Sequence, residues 1–61
     1  MALTRGNRET IARQGRDFKI HHADASDKQI VEAFQASWLE TMDEDIVMAA
    51  TAVLEAALKT V

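Results

Sequence analysis

Apolar residues recur at helical spacing in the second half of the chain. Between residues 30 and 42 they follow one another at steps of three and four, the period of one face of an α-helix. Ser26 and Gln29 have the spacing of a capping box, in which each side chain bonds a backbone amide at the other residue. The pattern predicts a helix from Ser26 to about Glu40.

A second helix is predicted close behind the first. Thr41 to Glu44 repeats the capping-box spacing, and Asp43 is a competing cap. The run Asp43–Asp45 places three acids where the positive end of a helix dipole favours them. We expect this helix to start near residue 42 or 43 and to end near Thr60. The junction without glycine or proline fits either a tight corner or one helix kinked near Thr41.

The last helix is apolar around most of its circumference. Between Ile46 and Leu58 only Thr51 and Glu55 are polar, and such a helix is buried on most sides. A chain of 61 residues has little other material to cover it, which predicts a dimer or higher oligomer. The alternative is a monomer in which the N-terminal segment folds over this helix.

Residues 16–22 alternate polar and apolar positions. Phe18 and Ile20 would share one face of a strand, and Asp17, Lys19 and His21 the other. The pattern predicts a short strand. No second strand is visible in the sequence, so its backbone groups would pair with the same strand of a second copy.

Residues 1–15 form a polar, basic segment. Asn7 could cap a short helix through about Gln14, and Gly15 suits the position just after a helix end. The segment is therefore either a surface helix or a mobile arm. We divide the chain into this arm and a strand-helix-helix dimerisation domain over residues 16–61.

Composition and charge narrow the class of protein. The chain lacks cysteine, which excludes disulfides and thiolate zinc sites. Residues 1–19 carry five basic and two acidic side chains, whereas residues 20–61 carry two basic and eight acidic ones. A basic arm before an acidic body points to nucleic-acid contact or charge-driven pairing. We expect neither a membrane segment nor a secretory signal, and hence a cytoplasmic protein.

Few residues suggest chemistry. His21 and His22 with Asp24 and Asp27 resemble metal ligands, but adjacent histidines on a strand point to opposite faces, so we predict no metal. The acids at 43–45 fit a cation site or a docking patch, but the helix dipole explains them without a function, and we favour that interpretation. Neither a phosphate loop nor a spaced nucleophile and base appears. We expect a non-enzymatic protein without a cofactor.

The order strand, helix, helix over residues 16–60 resembles the ribbon-helix-helix family of DNA-binding proteins. The resemblance implies an intertwined, mostly α-helical homodimer whose paired strands lie in the DNA major groove. The acids at 43–45 depart from the family, whose members bind a phosphate at the start of the second helix. The resemblance and the basic arm together give the following DNA-binding candidates: Arg5, Arg8, Arg13, Arg16, Lys19 and His21. The dimer interface candidates are Phe18, Ile20, Phe34, Trp38, Ile46, Val47, Ala50, Val53, Leu54 and Leu58.

Two functions follow from these features. The first is a small dimeric DNA-binding repressor or antitoxin; Leu3–Arg5 and Arg8–Ile11 also look like the opening of some helix-turn-helix antidote proteins of addiction modules. The second is a helical adapter or inhibitor that presents its acidic surface or its apolar last helix to another protein. The sequence predicts a second copy of the chain as one partner and leaves the further partner open between double-stranded DNA and another protein.

Overall fold

The computed structural model describes residues 3–61 and consists of three helices joined by short turns. The helices are α1 (Arg5–His21), α2 (Asp27–Trp38) and α3 (Glu44–Leu58). Residues 3–61 contain no strand. The predicted strand and the ribbon-helix-helix fold are therefore wrong, and the first two residues of the predicted arm lie outside the described part.

Helix α1 runs through the segment that was predicted to be a strand. Thr4 caps it, and the Thr4 Oγ1 accepts a hydrogen bond of 3.1 Å from the Asn7 amide. Ile11 and Gly15 are buried and Phe18 is half-buried, at steps of four and three, which is the helical period. Alternation at Phe18 and Ile20 predicted the strand, but Ile20 is 62% exposed. The backbone bonds of this segment close within α1, so no second copy is needed to satisfy them.

Gly15 lies inside α1 and not after its end. Its backbone is helical, and a Cβ built at this position would meet the side chain of Leu54 on α3. Because Leu54 is itself fully buried, the missing side chain lets the two helices approach closely. Gly15 is therefore the point where α1 packs against α3.

Helix α2 begins as predicted. The Ser26 Oγ accepts from the Gln29 amide at 3.2 Å, and the Ser26 amide donates to the Gln29 Oε1 at 2.9 Å. The helix ends at Trp38, two residues earlier than predicted. A turn over residues 39–43 separates it from α3, and Asp43 is the N-cap of α3. The two helices pack against each other across this turn, so the corner is correct and the single kinked helix is wrong.

Helix α3 lies at the centre of the core and packs against both other helices. Ile30, Ala50, Leu54 and Leu58 are fully buried, and Ile11 of α1 joins them. The α2–α3 contact also carries a polar link, because the Gln35 Nε2 donates to the hydroxyl oxygen of Thr51 at 3.0 Å. The core thus closes within one chain, as in the monomeric alternative.

The predicted dimer interface falls into three groups. Val47, Ala50, Leu54 and Leu58 are buried inside the single chain, and Ile20 is exposed. The remaining members are half-buried where helices meet. The structure therefore does not support a second copy as the cover of α3, because α1 occupies that place. The half-buried members are Phe18, Phe34, Trp38, Ile46 and Val53.

Candidate interaction surface

Four arginines of α1 form an exposed basic surface, which we call the arginine face. Arg5, Arg8, Arg13 and Arg16 are all exposed, because the apolar residues of α1 turn its other side to the core. The Arg5 Nε lies 3.4 Å from the Glu9 Oε1, with side chains 94% and 71% exposed. Such a pair contributes little to stability. Within residues 3–61 the other three arginines make no ion pair.

Two of the predicted DNA contacts, Lys19 and His21, have hydrogen-bond partners within the chain. The Lys19 Nζ donates to the backbone oxygen of Leu58 at 2.8 Å and lies 3.0 Å from the Asp27 Oδ1. It therefore ties the end of α1 to the last residue of α3 and the first residue of α2. The His21 Nδ1 lies 2.8 Å from the backbone oxygen of Asp17. A carbonyl only accepts, so this nitrogen donates.

A shallow depression, wide open to solvent, lies between α1 and α3 beside the arginine face, and we call it the α1–α3 groove. Ala12 and Val53 are half-buried, Ala57 is buried and Ala56 is exposed. These four form an apolar floor, which has Arg8 and Arg16 along its α1 edge. Glu9 and Thr60 complete the lining.

An aromatic row joins α1 to α2. The rings of Phe18 and Phe34 meet edge to face at 5.6 Å, and those of Phe34 and Trp38 do so at 5.5 Å. His22 stacks on Phe18 with ring centroids 4.3 Å apart. These contacts use the faces of Phe18 and Phe34 for packing within the chain, although a cleft beside them remains open to solvent.

The acids at the start of α3 lie at a helix N-terminus, as predicted. Asp43 is the cap residue, but its side chain makes no capping hydrogen bond, and Glu44 and Asp45 occupy the first turn. All three are exposed. The positive end of the helix dipole favours them there.

The described part of the chain offers no site for a metal ion and no helix that could span a membrane. Residues 3–61 hold no group of three side chains placed to bind a metal ion. Their buried residues are all apolar or glycine. None of the helices in this range is long and apolar enough to cross a membrane.

Sequence reasoning found the arginines but missed the groove. Its floor combines Ala12 with residues 53–57, and only the packing of α1 on α3 brings them together. The helical spacing of Ile11, Gly15 and Phe18 indicates that packing. It is easily overlooked, because a hydrophobic pattern does not count glycine as a core residue.

Comparison with known proteins adds no assignment to this geometry. No family model matches the chain, and no curated protein or solved structure matches it significantly.

Proposed function

We propose that the chain is a non-enzymatic helical interaction module that binds an acidic segment of another protein through the arginine face. The observation that carries this proposal is the placement of four exposed arginines on one helix, of which only Arg5 has an ion-pair partner among residues 3–61. The cap at Thr4 and the Lys19 contacts fix α1 near both of its ends.

The division of charge supports an acidic partner. Residues 20–61 carry eight acids and two lysines, so an acidic segment is repelled from α2 and α3 and attracted to α1. Exposed charges of this kind act over roughly 10 Å at 0.1 M salt. They steer a partner toward one side of the molecule and contribute less as salt increases.

DNA is the competing partner, because the same arginines could contact phosphates. The ribbon that would have entered the major groove is absent from residues 3–61, and acidic helices lie beside α1. Apolar Val53 and Ala56 next to the arginines favour a protein, since a phosphate backbone offers no apolar surface to cover them.

A binding titration distinguishes the two partners. The probes are a fluorescent glutamate-rich peptide and a fluorescent DNA duplex, each titrated at low and high salt. We expect the peptide to bind at low salt and to lose at least tenfold in affinity when all four arginines of α1 are replaced by glutamine. Replacing Lys28 and Lys59, which lie on α2 and directly after α3, should change affinity less than threefold.

Circular dichroism checks that each variant is folded. Because the arginines are exposed, replacing them should leave the helix content unchanged. Binding of the duplex but not of the peptide, with dependence on the same arginines, would contradict the proposal and assign a nucleic-acid partner. Failure to bind either probe at low salt would also contradict it.

A further inference from the structure

We infer that the α1–α3 groove binds an amphipathic acidic helix of the partner. This inference rests on the proposed function and adds the shape of the ligand to its charge. The groove lies between two helices whose C-terminal ends are held together, since Lys19 near the end of α1 reaches the last residue of α3.

The floor of the groove suits a helix. Ala12, Ala56 and Ala57 carry the smallest apolar side chains, and Val53 is half-buried among them. Packed helices have axes about 8–10 Å apart, with the distance set by the side chains at the contact. Alanines at the contact allow the near end of that range. A partner helix could therefore place an apolar stripe directly over these residues.

The edges of the groove differ in charge. Arg8 and Arg16 lie along the α1 edge, eight residues apart, which is about 12 Å along a helix. Glu9 lines the same edge, and its carboxylate is paired with Arg5 outside the groove. The α3 residues that line the groove are uncharged. A partner helix with an apolar stripe and two carboxylates about two turns apart on one side of that stripe would meet both arginines.

A second copy of this chain fits the pattern less well. The helix of a second copy that could occupy the groove is α3, because it has an exposed apolar side. Beyond its first turn, however, α3 has a single acidic residue, Glu55. Asp45 and Glu55 are ten residues apart, nearly three turns, so they do not match the two-turn spacing of the arginines. Charge complementarity therefore favours a different protein.

The test uses two synthetic peptides of the same composition. In the patterned peptide, leucines and alanines form one helical stripe and two glutamates lie seven residues apart beside it; in the scrambled peptide the stripe is broken. We expect the patterned peptide to bind at least tenfold more tightly. Arg8→Gln/Arg16→Gln should abolish that preference, and Arg5→Gln/Arg13→Gln, an equal charge change outside the groove, should preserve it.

A second variant probes the floor without removing a positive charge. Ala56 is exposed, so Ala56→Glu should fold normally while placing a carboxylate under the apolar stripe. We expect it to weaken the patterned peptide at least tenfold. Unchanged binding in this variant would overturn the groove as the site.

The remaining outcomes separate this inference from the proposed function. If both peptides bind equally and both arginine pairs matter equally, the groove is overturned while the arginine face stands. If neither peptide binds while the glutamate-rich peptide does, the groove is overturned and the arginine face stands; if the glutamate-rich peptide also fails to bind, both proposals fail. If sedimentation shows a dimer without peptide that Ala56→Glu dissociates, the groove belongs to a second copy and the inference is overturned.

Discussion

The two sides of α3 are both apolar, yet one is buried in the core and the other is exposed to solvent. Ala50, Leu54 and Leu58 face inward and are fully buried, whereas Met48 on the outer side is 69% exposed. Ala52 is exposed beside it. Hydropathy alone does not distinguish the inner from the outer side of α3, because the residues on both sides are classed as apolar.

Side-chain size explains why alanines can lie on the outer side, whereas Met48 is about as large as a leucine and is exposed by its position on that side. Burial of an apolar side chain stabilises in proportion to its area, about 25 cal/mol per Å², so an exposed alanine forgoes little. The inner side carries two leucines, and α1 covers them with Ile11 and Gly15. Counting apolar positions in α3 therefore overstated the need for a second copy.

Truncation of Leu54 should have the largest effect on stability. Leu54→Ala removes a fully buried side chain beside Gly15, and such changes cost about 2–5 kcal/mol. Domains of this size are only marginally stable, so the variant should be largely unfolded at 25 °C. Met48→Ala on the outer side should change the free energy of unfolding by less than about 0.5 kcal/mol.

Urea denaturation followed by circular dichroism checks this pair. Similar losses in the two variants would contradict the assignment of one inner and one outer side.

The two glycines of α1 provide the next comparison. Gly15→Ala forces a methyl group against Leu54, and overpacking costs about 1–3 kcal/mol, of which better helix propensity offsets about 1 kcal/mol. Apart from its chain neighbours and its own helix backbone, no heavy atom among residues 3–61 lies within 4 Å of a Cβ built at Gly6, so Gly6→Ala should be neutral or stabilising by up to about 1 kcal/mol. Thermal unfolding measures both; stabilisation by Gly15→Ala would argue against the close packing of α1 on α3.

Loss of the Lys19 contacts should have a smaller effect. Lys19→Met keeps most of the side-chain volume but removes the bond to the Leu58 carbonyl and the ion pair with Asp27. A net cost of about 1 kcal/mol is expected. Faster amide hydrogen exchange at the end of α3 should accompany it. Lys28→Met, at an exposed position, is the control and should leave that exchange unchanged.

The smallest effect is expected on the outer side of α3. Ala52→Lys places a long, charged side chain at an exposed helical position, and we expect a change of less than about 0.5 kcal/mol. Sedimentation should give the same mass for the variant and the wild type. A large loss of stability with a fall in mass would show that a second copy covers this side.

Local signals predicted the second half of the fold better than the first. The Ser26 capping box and the acids at 43–45 act within one turn, so the starts of α2 and α3 were readable. Residues 16–22 offered only Phe18 and Ile20, two positions that share one face of a strand but lie on different sides of a helix. Two positions are too few to exclude a helix in which only Phe18 packs inward. Packing against α3, which lies some forty residues further along the sequence, favours the helix over the strand.

The candidate site divides in the same way. The arginines could be named from composition, because exposed arginines need no tertiary context. The packing of α1 on α3 determines which arginines border the apolar groove. It also determines the contacts of Lys19 with Leu58 and Asp27. Sequence reasoning placed Lys19 on a DNA-facing strand, where its bond to the Leu58 carbonyl was not foreseeable.

The contact between Gly15 and Leu54 tests the account most directly, because the cover of α3 and the groove both depend on it. An isotope-filtered nuclear Overhauser measurement can detect proximity between the Gly15 α-protons and the Leu54 methyl groups within one molecule. We predict an intramolecular cross-peak, together with helical chemical shifts over residues 16–21. Extended shifts over those residues, with cross-peaks only between molecules, would contradict the account.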